Sequence, residues 1–139
     1  MGQRCVVATA IAAWSLALVA SLAAQPANPT PRAEAAKLKN PLPSNAASIA
    51  TGQQLYQKYC RFCHGATGVG DGTSAPKDTK PSNLTDDTWD RGSTDGEIFI
   101  VIQEGAGPEY KMKGLKGKIG DQDTWHLVNY VRSLGGAKK

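Results

Sequence analysis

The chemistry-bearing residues of this 139-residue chain are concentrated in Cys60-Arg61-Phe62-Cys63-His64. Two thiols three residues apart on a helical turn lie on one side of the chain. The imidazole that follows the second thiol can then be aimed at a metal held beside them. C-x-x-C-H is the attachment pattern of a c-type haem: the thiols reach the two vinyl groups of one porphyrin and the histidine ligates its iron. Three other chemistries fit less well. A thioredoxin-like pair needs a preceding strand and α/β alternation, and neither is present. A structural zinc site needs four ligands, and after Cys60, Cys63 and His64 the chain offers only the distant His126. A disulfide between Cys60 and Cys63 leaves His64 without a role.

An iron with one histidine needs a sixth ligand if it only passes electrons, and a vacancy if it binds gases or peroxide. The candidates are Met112 and His126. Met112 is the only methionine after the initiator. Its Lys/Gly-rich surroundings offer little core for it to fill, so it is the stronger candidate. His126 lies between Trp125 and Leu127 on a helical stretch and reads as a surface or packing histidine.

The elements that must position these groups can be read from periodicity. Met1 to Ala24 has a short basic start, a long apolar run and a small-residue end, the pattern of a secretory signal peptide. The apolar run is also long enough for an uncleaved membrane anchor. Residues 25–46, rich in Pro and Ala without apolar periodicity, are expected to form a flexible linker. Ile49, Leu55, Tyr56 and Tyr59 recur at helical spacing, which predicts a first helix over about Ala47 to Tyr59. Gly52, on that stripe, admits two readings, a close helix crossing or a tolerated glycine near a helix start.

Gly65 to Gly72 is loop chemistry, without the Lys-Ser/Thr of a phosphate-binding loop or a calcium-loop spacing. Thr73 to Arg91 reads as an extended loop, in which a proline carbonyl is a candidate acceptor for the Nδ1–H of His64. Thr94 with Glu97 has capping-box form and opens a second helix that stops at Gly105. Asp121 and Asp123 open the last, whose stripe is Trp125, Leu127, Val128, Tyr130, Val131 and Leu134. The pattern is three helices with long loops and no convincing strand.

With these motifs in place, the chain resembles the small class I cytochromes c from about Ala47 to Leu134. The matching residues are Gly52 and Tyr56 ahead of Cys60-x-x-Cys63-His64, then Pro81-x-Asn83-Leu84 and Thr94-Asp95-Gly96-Glu97-Ile98-Phe99 with Gly105. Met112 and the ending Trp125 to Leu134 complete the match. The resemblance implies an all-α cytochrome c fold over residues 47–136, three main helices wrapped with long loops around one covalently attached haem c. It implies His64 as proximal and Met112 as distal iron ligand, and a proline carbonyl on His64, placed on Pro81 with Pro76 as second choice. It also implies that the first and last helices cross where Gly52 and Tyr56 meet Leu127 and Tyr130. Relatives often follow the ligand methionine with proline, whereas Lys113 follows here, which implies a less restrained loop. Trp89 or Arg91 is a candidate contact for a haem propionate.

The expected function is a one-electron carrier of the bacterial periplasm, not an enzyme, working as a monomer or as a subunit. A fixed haem subunit of a larger oxidoreductase is the alternative, followed by a peroxidase or gas sensor in which Met112 dissociates. Lys111, Lys113, Lys116 and Lys118 surround Met112 and would suit an acidic redox partner. Removal of residues 1–24 takes the formal charge from +4 to +3, and two propionates offset most of that. Such a balance excludes a nucleic-acid binder. Membrane contact is expected only if residues 5–24 stay as an anchor.

Overall fold

A computed structural model describes residues 31–107 and 111–135 of the chain. The described residues form five helices, α1 (Pro31–Ala35), α2 (Ala46–Tyr59), α3 (Arg61–His64), α4 (Asp95–Glu104) and α5 (Asp121–Ser133). Among the described residues there is no strand, only isolated bridges between Gly105 and Lys113 and between Lys116 and Ile119. The architecture is all-α, as expected. The leader and residues 25–30 of the expected linker lie outside the described residues.

Each main helix begins where its capping chemistry says. Asn45 opens α2, its Oδ1 accepting from the Ser48 N–H at 2.9 Å. Thr94 and Glu97 close a full capping box on α4: the Glu97 N–H donates to Thr94 Oγ1 at 3.2 Å, and the Thr94 N–H donates to the Glu97 carboxylate at 3.0 Å. In α5 the acids Asp121 and Asp123 occupy the first turn, where the helix dipole favours negative charge.

The core sits where α2 crosses α5. A Cβ on Gly52 would collide with the His126 carbonyl oxygen and lie 2.7 Å from Tyr130 Cβ. Only glycine therefore lets the two backbones approach this closely. Around the crossing, Tyr56, Leu127 and Val128 are wholly buried, and the Tyr56 and Tyr130 rings lie 5.1 Å apart. α4 packs alongside through Ile98, Phe99 and Ile102, with Phe99 stacked on Trp125 at 4.2 Å. Burying side chains of this size contributes about 1.5–3 kcal/mol each, so this crossing fixes the frame.

From Pro31 onward the chain departs from the expected structureless linker. α1 buries Ala35, and the Ala35 carbonyl sits over Gly96 at the start of α4. Asn40 Nδ2 donates to the Trp125 carbonyl at 3.1 Å and to Asn129 Oδ1 at 2.9 Å, while Asn129 Nδ2 donates to the Pro43 carbonyl at 3.2 Å. The segment is docked by single polar side chains and backbone carbonyls, which leave no apolar period in the sequence.

Candidate functional site

α3 is one turn long and exists to fold the C-x-x-C-H stretch. The Cys60 carbonyl accepts from the N–H of Cys63 at 3.1 Å and of His64 at 3.0 Å. That turn brings Cys60, Cys63 and His64 to the wall of one cavity of about 460 Å³, a volume in the range of cofactor sites. Both thiols are free. Burial, and then the neighbouring Cys63, push the Cys60 thiol up to about 12. The pocket around that sulfur favours an uncharged group, as a thioether is.

His64 Nδ1 lies 3.0 Å from the Ser82 carbonyl oxygen. A carbonyl only accepts, so Nδ1 carries the proton and Nε2 keeps its lone pair for a metal. Burial holds the imidazole below the usual histidine range against the opposing pull of that carbonyl, which keeps it in the neutral, ligating form. The acceptor is Ser82 and not Pro81 or Pro76. Successive carbonyls of an extended segment point to opposite sides: that of Pro81 packs on Gly70, and the next one faces the ring. The Pro76 carbonyl accepts from Thr79. Both prolines still line the cavity, but nothing in the sequence distinguishes one of two adjacent carbonyls.

Met112 reaches the same cavity from another element. Its loop is pinned to the end of α4. The Met112 carbonyl accepts from Ala106 N–H at 3.1 Å, and the N–H groups of Leu115 and Lys116 donate to the carbonyls of Ile102 and Gln103 at 2.9 and 3.0 Å. Gly105, at φ +87°, closes α4 so tightly that a Cβ there would strike the Met112 carbonyl. The loop that lacks a proline after Met112 is thus held by main-chain bonds. Lys111 precedes it in the left-handed region, at φ +51°, a conformation that costs a residue with a Cβ about 1 kcal/mol. Its Nζ donates to the Lys77 carbonyl at 3.1 Å.

The expected basic collar is partly redrawn. Lys111, Lys113 and Lys118 line the cavity, whereas Lys116 does not and pairs with Glu104 at 2.6 Å. Lys58 and Lys80 join the lining from elements distant in sequence. Trp89 and Arg91 both line the cavity, with the indole N–H of Trp89 donating to the Asp86 carbonyl at 3.1 Å. His126 packs between helices, its Nδ1 2.8 Å from Ser48 Oγ.

The fold and this donor set define a small c-type cytochrome, and comparison with solved structures agrees. The c-type cytochrome KustC0563 is 30% identical with a TM-score of 0.50, over 60% of this chain and 96% of its own. The reducing HAO-like protein complex Kustc0457/Kustc0458 of Kuenenia stuttgartiensis contains a chain 27% identical with a TM-score of 0.62, over 72% of this chain and 48% of that one. Cytochrome cL of Methylophaga aminisulfidivorans MPT shares the fold, with a TM-score of 0.53 at 24% identity over 64% and 54%.

The family model described as cytochrome c oxidase, cbb3-type, subunit III matches residues 47–131, more than half of the chain, and the chain belongs to that family. The cbb3-type cytochrome c oxidase subunit CcoP of Rhodobacter capsulatus is 29% identical over 101 residues, 69% of this chain and 32% of that protein. Subunit FixP of Bradyrhizobium diazoefficiens is 29% identical over 89 residues, 64% of this chain and 28% of that protein. The chain thus spans about a third of the length of these curated relatives.

The family's cofactor is covalently attached haem c. The residues present fit it. One wall offers two thiols and a neutral imidazole with its Nε2 available, the Met112 loop offers a thioether, and Leu84, Ile98, Val101, Ile102 and Leu115 supply apolar lining.

Proposed function

We propose that this electron-transfer domain carries one electron at a time on a haem c tethered through Cys60 and Cys63 and ligated by His64 and Met112. The observation that carries the reading is the convergence of these four side chains on one cavity while the Ser82 carbonyl fixes the proton on His64 Nδ1. When bound, the haem supplies a reversible Fe(III)/Fe(II) couple, and a methionine sulfur opposite histidine raises its potential.

The protein's own task is geometric. Ser82 orients the imidazole, main-chain bonds to the end of α4 hold the backbone of the Met112 loop against the cavity, and the apolar lining excludes water. A saturated, rigid site changes little between redox states, which suits a carrier and disfavours substrate chemistry. Lys111, Lys113 and Lys118, with Lys58 and Lys80, give the cavity rim a positive character that would steer an acidic redox partner into a short-lived complex. Export to the periplasm is supported by the leader-like residues 1–24. Among the described residues no helix is long and apolar enough to cross a membrane.

A second reading, a fixed subunit of a larger oxidoreductase, is favoured by the relatives, which are named as subunits of cbb3-type oxidase. Purification at native expression level separates the two: a carrier elutes alone at about its chain mass, and a subunit co-elutes with partners. The carrier chemistry itself is tested by redox titration and exposure of the reduced protein to CO. A single one-electron transition with slow or no CO binding is expected. Rapid CO binding by the intact protein would mean that Met112 does not hold the sixth position, and would contradict the reading.

A further inference from the structure

Residues 31–46 precede the region that matches the family, yet through Arg32 they bond to a stretch that lines the cavity. The stretch Asp90–Gly92 lines that cavity, and the Nε of Arg91 is buried there. Arg32 holds this stretch from outside. Its Nη2 donates to the Asp90 carbonyl at 3.3 Å, and its Nε lies 3.5 Å from Glu97 Oε1. The Glu97 carboxylate in turn packs on Gly92, where a Cβ would collide with it, and caps α4 through Thr94. Burial alone would raise the Glu97 carboxyl, but the bonds from Thr94 and the charge of Arg32 outweigh it and hold the group ionised below the usual range.

Arg32 is itself held in place. Ala35 sits with its carbonyl over Gly96, so tightly that a Cβ there would collide with it, and Leu38 Cβ would lie 2.7 Å from that Cβ. Asn40 and Pro43 anchor the far end on Asn129 of α5. A guanidinium at the end of a docked arm can bridge a carbonyl and a carboxylate at once, because its donors form a planar fork. An arm serving only as a spacer has no need of such a bridge.

We propose that residues 31–45 form a positioning arm for the cofactor cavity, with Arg32 keeping the Asp90–Gly92 wall closed and the Arg91 charge beside the bound group. The proposal rests on the reading of the cavity as a haem site. Solvent access and nearby fixed charge set the potential of a buried redox centre. Loosening this wall admits water and releases positive charge, and both favour the oxidised state.

The test uses the haem-loaded protein with Arg32→Gln, Arg32→Lys and Lys37→Gln. Lys37, on the same arm, pairs with Glu34 at 2.7 Å and touches neither Asp90 nor Glu97, so its loss removes equal charge without opening the wall. The expected result is a lower midpoint potential and faster amide exchange at residues 90–92 in Arg32→Gln. A smaller change of the same sign is expected in Arg32→Lys, and neither change in Lys37→Gln. Equal potential shifts in Arg32→Gln and Lys37→Gln, or an unchanged potential in Arg32→Gln beside a fall in thermal stability, would overturn the proposal. A wild-type protein without a low-spin haem spectrum would instead sink the haem-site reading on which it rests.

Discussion

The hydroxyl of Tyr56 donates to the Gly65 carbonyl at 2.7 Å, one residue past His64. A wholly buried side chain of α2 thus holds the turn that delivers the imidazole. Tyr56→Phe leaves that carbonyl unsatisfied and should cost about 1–3 kcal/mol in denaturant unfolding. Burial, then Cys60, Tyr130 and Asp71, push the phenol far above its usual value. An unfolded tyrosine ionises near about pH 10, while the folded one resists. The stabilisation is therefore complete below that pH and is lost as pH rises above it. The alkaline limb of the stability profile should be shallower in Tyr56→Phe than in wild type, and an unchanged limb would count against this assignment. At this scale the sequence was most legible where residue type singles out a side chain, as at Cys60, Cys63, His64 and Met112, which all line the cavity. It was least legible where a backbone carbonyl does, since Ser82 rather than Pro81 meets His64 and side-chain identity says nothing of carbonyl direction.

Among elements, the α2–α5 crossing carries the frame. Gly52→Val puts a branched side chain against the His126 carbonyl, with no flexible group to yield. It should cost about 3 kcal/mol, at the upper end of overpacking, measured as a fall in denaturant midpoint, with Gly52→Ala less affected. Equal stability of wild type and Gly52→Val would mean that the helices do not meet there. The three main helices were legible to within a residue or two because caps and apolar stripes coincide. α1 escaped because its docking is polar and local to Arg32, Ala35 and Asn40. The restraint on the Met112 loop was also hidden. The absence of proline after Met112 implied a loose loop, whereas bonds from Ala106, Leu115 and Lys116 hold it.

For the whole molecule, charge placement matters more than net charge. Of the four lysines around Met112, three line the cavity and Lys116 is paired with Glu104. Replacing Lys111, Lys113 and Lys118 together by glutamine should slow electron transfer to an acidic partner at low salt and flatten its ionic-strength dependence. Lys116→Gln should leave both nearly unchanged. Stopped-flow rates across a salt series decide this, and equal effects of the two replacements would remove the docking face. The sequence showed a lysine-rich loop, but only the fold brings Lys58 and Lys80 to the same cavity.

The central claim is that His64 and Met112 hold one iron between them. The most direct measurement is the optical and magnetic spectrum of the haem-loaded protein in both redox states, taken for wild type and Met112→Ala. A low-spin wild type with sulfur-to-iron absorption that disappears in Met112→Ala, with a lowered potential, is the predicted result. A high-spin wild type, or a spectrum identical in the two proteins, would contradict it.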